Sequence, residues 1–95
     1  MNLVWAPQAV ADLRELRAHI GKEAPATAKR TTERIIEAVE RLIPGNPANG
    51  RPGRVPGTRE LVLVGTPYVV PYRIRGGRIV VLRVLHGARR WPGAL

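Results

Sequence analysis

The stretch Arg59–Trp91 reads RELVLVGTPYVVPYRIRGGRIVVLRVLHGARRW, and it decides the fold. It holds three apolar runs separated by two turn signals, Gly65-Thr66-Pro67 and Gly76-Gly77. Runs of this length, rich in Val, Ile and Tyr and joined by glycine-containing turns, are typical of neighbouring antiparallel strands. The stretch therefore predicts a three-stranded antiparallel meander.

The same stretch is strongly basic. No acid follows Glu60, whereas six arginines do: Arg73, Arg75, Arg78, Arg83, Arg89 and Arg90. The chain carries a formal charge of +9, and this charge is asymmetric, because residues 1–40 hold six basic and six acidic residues while residues 41–95 hold ten basic residues and one acid. Such a distribution favours nucleic acid or an acidic protein as partner. A general surplus of arginine over lysine is the alternative reading, but it does not account for the asymmetry.

Two amphipathic helices are predicted before the meander. Pro7 and Gly21 mark the start and end of the first, and Pro25 starts the second. Apolar side chains recur at helical spacing in both: Ala9, Leu13, Leu16 and Ile20 in the first, and Ala28, Thr32, Ile35, Val39 and Leu42 in the second. A short strand, Asn2–Trp5, comes first, and the Pro- and Gly-rich segment 44–57 is predicted as a loop. The fold class is therefore α+β in the order β-α-α-β-β-β, with the helical hairpin packed on one face of a small antiparallel sheet.

Composition excludes several classes of site. The 95 residues form one domain, residues 1–95, and they include no cysteine. The two histidines and seven acids show no metal-ligand spacing, so neither a metal nor another cofactor is expected. No apolar run reaches the roughly 20 residues that span a bilayer, and the N-terminus does not read as a signal peptide. We therefore expect no membrane association and a cytoplasmic location.

The face of the meander that the helices leave open is predicted to be apolar in its centre. If the helices cover Leu61, Val70 and Leu82, alternation places the following residues on the open face: Glu60, Val62, Val69, Pro71, Arg73, Val81 and Arg83. A sheet with helices on one side normally presents polar residues on the other. The valines at 62, 69 and 81 and Pro71 therefore predict a docking surface covered from outside the chain. Pro71 also predicts a bulge or an edge, because it cannot donate a ladder hydrogen bond.

The element order, the glycine-rich loop before GTREL, the PYVVPYR strand and the RVLHGARRWP ending together resemble the RelE/ParE superfamily of toxins of bacterial toxin–antitoxin modules. The resemblance covers essentially the whole chain, although no single motif in it is diagnostic. It implies a compact α+β fold and a toxin–antitoxin hetero-oligomer. The antitoxin's tail, acidic or amphipathic, would wrap the toxin and cover its open face.

The superfamily has two main activities: RelE-like members cut mRNA on the ribosome, and ParE-like members poison DNA gyrase. Metal-free RNA cleavage needs proton transfer and cations for the phosphorane. RelE-like nucleases carry cations on the strand after the loop and after the tyrosine of the next strand. The matching positions here hold Glu60, Val62 and Val69, and a valine can do neither job. The resemblance therefore favours the ParE-like branch.

The C-terminal residues leave the alternative open. His86 belongs to a residue type that can act as a general acid, but a histidine here also occurs in ParE-like members. Trp91 has no acid–base function and can only stack or fill a cleft.

We therefore predict a gyrase-binding toxin. Its candidate target- or antitoxin-binding residues are Arg59, Arg73, Arg83, His86, Arg89, Arg90 and Trp91. The alternative is a ribosome-dependent mRNA endonuclease with His86 and Glu60 in acid–base roles and Arg73 and Arg83 at the phosphate. A third possibility is a non-toxic member that retains only antitoxin binding.

Overall fold

The computed structural model describes all 95 residues. Strand β1 (Asn2–Trp5) is followed by helices α1 (Pro7–Gly21) and α2 (Pro25–Leu42), which confirms the predicted helical hairpin. A single 3₁₀ turn, Pro47–Asn49, leads into five further strands: β2 (Arg51–Pro52), β3 (Arg59–Val62), β4 (Tyr68–Arg75), β5 (Arg78–Val81) and β6 (Leu85–His86). Neither helix combines the length and apolarity that a membrane-spanning segment requires.

The strands form one sheet in the order β1-β5-β4-β3-β2, with β6 also paired to β4. The meander β3-β4-β5 is antiparallel as predicted. The sheet as a whole is mixed instead of antiparallel, because β1 runs parallel to β5. A tight turn forces neighbouring strands to run antiparallel, and β1 and β5 are joined by most of the chain instead.

The sheet differs from the predicted strand order in two places. Within the expected loop, Arg51–Pro52 pairs with Arg59–Glu60 as a short edge strand. The third strand of the meander is interrupted: between the pairs Tyr72↔Val81 and Val69↔Leu85, β4 advances three residues while its partner advances four. The additional residue is a β-bulge opposite Pro71, whose carbonyl accepts from Leu82 N at 2.9 Å. The predicted bulge at Pro71 is therefore present, in the partner strand.

The core lies between the helices and one face of the sheet. Ala9 of α1 and three α2-side residues, Ile35, Val39 and Ile43, pack on side chains from the strands. The strand contributions are Leu61, Leu63, Val70, Tyr72, Ile79, Val81 and Val84. The Tyr72 hydroxyl is the polar group in this core; it donates to Pro47 O at 2.6 Å and accepts from Gly50 N at 2.8 Å. Burying it therefore leaves no polar atom unpaired.

Candidate functional site

The open face of the sheet, defined as the face turned away from α1 and α2, differs from the prediction at its third strand. Four consecutive apolar residues, 79–82, give no alternation from which to read the faces, so the register with β4 decides. Val81 lies opposite Tyr72 and is fully buried in the core, whereas Val80 lies opposite Arg73 on the open face. Placing Val81 among the open-face docking residues was therefore wrong.

Glu60 lies on the open face but is 1% exposed, because the segment 51–58 folds over it. Its Oε1 accepts from Arg51 Nη2 at 3.0 Å and Nε at 3.2 Å, and Arg54 Nε lies 3.6 Å away. Its Oε2 accepts from Arg54 N at 2.7 Å. In this structure the carboxylate is engaged by Arg51 and Arg54 and is not presented to a substrate hydroxyl, as the role of general base considered for Glu60 would require.

The C-terminal residues contact the segment 51–58 that folds over Glu60. The Arg54 guanidinium stacks 3.8 Å from the centroid of the Trp91 ring and donates to Gly87 O at 3.4 Å. Gly87 N donates to Pro67 O at 2.8 Å, so the chain continues beside β4, and a Cβ at Gly87 would lie 3.2 Å from a Val69 methyl group. Val69 and Pro71 are accordingly buried within the chain itself. The prediction that these two residues need a cover from another molecule was wrong; only Val62, 44% exposed, is left for docking.

Arg83 points to the helix side and is held by α1. Its Nε and Nη2 donate to the two carboxylate oxygens of Asp12 at 2.7 and 3.0 Å, and Val84 N donates to Asp12 Oδ2 at 2.9 Å. The hydrogen bond to Asp12 raises the pKa of Arg83 further above its ordinary value, although desolvation acts in the opposite direction. Its placement on the open face was therefore wrong. Asp12, distant in sequence, carried no signal that would have found it.

Arg59 is also engaged within the chain. Its Nε donates to Gly50 O at 2.8 Å and its Nη2 to Ala48 O at 3.1 Å. Two carbonyls of the preceding loop thus take the donors that a target phosphate or carboxylate would need. The arginines at 51, 54, 59 and 83 form one class, whose charge is used to hold the fold together.

A second class of arginines has no carboxylate partner. It comprises Arg73, Arg75 and Arg78 at the β4–β5 turn, and Arg89 and Arg90 after β6. All are exposed except Arg73, which is half-buried. Unlike Arg59, these five donate no side-chain hydrogen bond within the chain either, and three of them belong to the predicted binding set.

His86 lies at the rim of a cleft of about 370 Å³ between α1 and the C-terminal residues. Its ring meets Tyr68 edge-on at 6.0 Å, and its Nδ1 accepts from Ala88 N at 3.2 Å. Its carbonyl oxygen accepts from Trp91 Nε1 at 3.2 Å, which fixes the indole. Arg89 and Arg90 also line the cleft, together with His19. The cleft thus brings together three of the predicted C-terminal binding residues with Trp91.

The cleft holds His86 beside the exposed Arg89 and Arg90; His19 and Glu15 of α1 line it as well, and Asp12 there is held by Arg83. The side chains form no cluster of three or more metal-ligating groups. Exposed arginines on such a surface can bind an anionic or acidic partner.

Comparison with known proteins supplies the context. Residues 3–91 match the sequence pattern of the family described as ParE toxin of type II toxin-antitoxin system, parDE. A protein of Sinorhizobium fredii named as toxin Y4kP is 44% identical over 91 residues, covering 96% of this chain and 93% of the relative. Toxin RelE2 of Caulobacter vibrioides is 37% identical over 88 residues, covering 93% and 97%. A chain of the chromosomal ParDE toxin–antitoxin system from P. aeruginosa is similar in structure, with a TM-score of 0.81, 36% identity and coverage of 88% and 92%.

Proposed function

The chain belongs to the family of ParE toxins of type II toxin–antitoxin systems, and we propose that it inhibits growth by binding DNA gyrase without catalysing a reaction itself. A cognate antitoxin neutralises it in a toxin–antitoxin hetero-oligomer. The proposal rests on the family and on one structural observation: the positions at which RelE-like nucleases carry their cations hold no accessible ionisable side chain here.

Those positions contain no usable catalytic group. Glu60 is enclosed by Arg51 and Arg54, Val69 is buried, and Val62 has no ionisable atom. Arg83, the cation expected near a phosphate, is neutralised by Asp12. This loss of the catalytic set, with the fold retained, supports action by binding.

The unpaired arginines supply the means of binding. Arg73 lies on the open face, and Arg89 and Arg90 lie beside the cleft. Exposed arginines of one sign steer association with an acidic surface and form bidentate hydrogen bonds with carboxylates. We expect Arg89 and Arg90 to contribute most to the gyrase contact, because Trp91 next to them provides an aromatic anchor.

An antitoxin segment of amphipathic character fits a groove on the opposite edge. Beyond Glu60 no strand pairs with the outer edge of β3, where Val62 and Val64 are 44% and 86% exposed. The groove beside them, about 350 Å³, is lined by Ala38 and Leu42 of α2, among others. An extended segment can add to such an edge through main-chain hydrogen bonds and place apolar side chains in the groove. Val64→Asp is expected to weaken antitoxin binding at least tenfold while the toxin itself still inhibits growth.

The decisive experiment is brief induction of the toxin, with transcripts and chromosome followed together. Gyrase poisoning predicts an SOS response, filamentation and intact mRNA, and purified gyrase should accumulate cleaved DNA. Arg89→Ala/Arg90→Ala should lower both effects at least tenfold. Arg14→Ala/Arg17→Ala, which removes the same charge from exposed positions of α1, should lower neither. Early codon-dependent mRNA cleavage with an intact chromosome would contradict the proposal.

The endonuclease alternative keeps one observation in its favour, the position of His86 in a cleft beside Arg89 and Arg90. It predicts near-complete loss of toxicity in His86→Ala, because this alternative assigns the proton transfer to His86. Gyrase binding predicts at most a partial loss. Wild-type protein that causes no growth defect at all would instead identify a non-toxic member that only binds antitoxin.

A further inference from the structure

The turn that joins β4 and β5 forms a narrow ribbon with three arginines on one side. Arg75 and Arg78 lie directly opposite each other across the ladder, and Arg73 is two residues earlier in β4. Side chains alternate along a strand and directly paired residues share a face, so all three project from the open face. The two-residue turn between them, Gly76-Gly77, has φ values of 59° and 72°, conformations that glycine adopts without strain.

This arrangement is unfavourable within the isolated chain. Like charges placed directly opposite each other destabilise a ladder. None of the seven acids compensates for them, because Glu60 is engaged with Arg51 and Arg54, Asp12 with Arg83, and the remaining five lie in α1, α2 and the connection between them. An external polyanion would remove the repulsion.

The shape and chemistry of the ribbon distinguish among polyanions. Added Cβ atoms at Gly76 and Gly77 would meet nothing within 4 Å, so the tip stands clear of the rest of the molecule. A two-stranded ribbon of this kind fits a groove of duplex DNA, and guanidinium groups bind phosphates bidentately. Proteins bind single strands largely by stacking bases on aromatic side chains, and protein–protein hot spots centre on buried anchor residues. The tyrosines and tryptophans of this chain all lie outside 73–78, so the ribbon favours neither of these modes.

We propose that the ribbon 73–78 binds the phosphate backbone of duplex DNA, without reading its sequence, through Arg73, Arg75 and Arg78. This contact goes beyond gyrase binding, because it requires no other protein. In a trapped gyrase complex it would place the toxin against the DNA that the enzyme holds.

The test is binding of purified toxin to a short fluorescent duplex of mixed sequence, measured by anisotropy over a range of salt concentrations. Each phosphate contact contributes about 0.9 to the slope of log K against log salt. Arg75→Ala/Arg78→Ala is therefore expected to lower the magnitude of the slope by about 1.8, and adding Arg73→Ala by about 0.9 more. Arg75→Lys/Arg78→Lys should keep most of the slope, because the charge is retained.

The matched control is Arg14→Ala/Arg17→Ala, which makes the same change in net charge on exposed positions of α1. It should leave the slope unchanged. Equal loss in both double variants would overturn the proposal, since binding would then depend only on net charge. Thermal unfolding of each variant shows whether it folds, so a failure to fold would not be mistaken for lost binding.

A second arm uses polyglutamate of matched charge as competitor. Displacement of duplex at equal charge concentration, with the same dependence on Arg75 and Arg78, would assign the ribbon to an acidic protein segment and overturn the proposal. The assay contains no gyrase, so its outcome is independent of whether the toxin poisons that enzyme.

Discussion

The open face carries arginines at both of its ends, but only those at one end are paired with a carboxylate. At the β3 end, Arg51 and Arg54 surround the enclosed carboxylate of Glu60, and Trp91 stacks on Arg54. At the β4–β5 turn, Arg75 and Arg78 oppose each other with no acid nearby. The same residue type therefore maintains the fold at one end and is left for a ligand at the other. Net charge alone does not distinguish these roles; the position of a partner carboxylate does.

The largest effect is expected from removing the carboxylate at the covered end. Glu60→Ala takes away the acceptor of Arg54 N and the ion pairs to Arg51 and Arg54. The free energy of unfolding should fall by about 2–3 kcal/mol, less than for a fully buried pair because both guanidinium groups are about half exposed. Urea denaturation measures the loss. Glu37→Ala, at an exposed position of α2 that forms no ion pair, should change it by less than about 0.5 kcal/mol.

If both variants lose the same stability, the enclosure of Glu60 has no energetic consequence and the distinction between the two ends fails. If the contrast is correct, segment 51–58 should also become more sensitive to protease in Glu60→Ala, since the carboxylate is what holds it to the sheet.

The second prediction concerns Arg83, the arginine that α1 holds. Asp12→Asn keeps the shape but loses the charge that Arg83 and Val84 N share, and we expect a loss of about 1–2 kcal/mol in unfolding free energy. The pKa of Arg83 is raised in the folded state, so this contribution is complete below the unfolded pKa and is lost only as pH rises through the folded pKa. The difference between wild type and variant should therefore be constant from pH 6 to pH 9. A difference that shrinks within the alkaline part of this range would contradict the ion pair.

A smaller loss is expected at the C-terminal side of the cover. Trp91→Ala removes the stacking with Arg54 and the hydrogen bond to His86 O. Both contacts are at the surface, so unfolding free energy should fall by about 1 kcal/mol. Arg54→Ala in the same background should cost less than it does in the wild type, and a double-mutant cycle measures this coupling. Strictly additive losses would show that the stacking contributes nothing.

The elements of the fold were accessible from sequence because each has a local signal. Apolar spacing in α1 and α2 and the glycine turns near 65 and 76 are read within a few residues, and Pro71 indicated the bulge correctly. The faces of β5 were not accessible, because 79–82 are all apolar and only the pairing Tyr72↔Val81 decides which side chain is buried.

The paired arginines were inaccessible for a related reason. Asp12 and Arg83 lie 71 residues apart, and nothing near either residue indicates the other. Sequence showed how much charge the C-terminal half carries, but three-dimensional contacts were needed to separate the held arginines from the free ones.

The smallest expected effect is a gain in unfolding free energy, and it concerns the β4–β5 turn. Arg78→Glu turns the opposed pair with Arg75 into an ion pair, and unfolding free energy should rise by about 0.5 kcal/mol, since exposed cross-strand pairs contribute little. Arg75→Glu creates the same pair in reverse and should give the same gain, whereas Arg75→Glu/Arg78→Glu restores repulsion and should cancel it. Thermal unfolding at low salt measures all three. Destabilisation by both single variants would mean that the two arginines do not repel each other and that the β4–β5 turn needs no ligand to offset their charge.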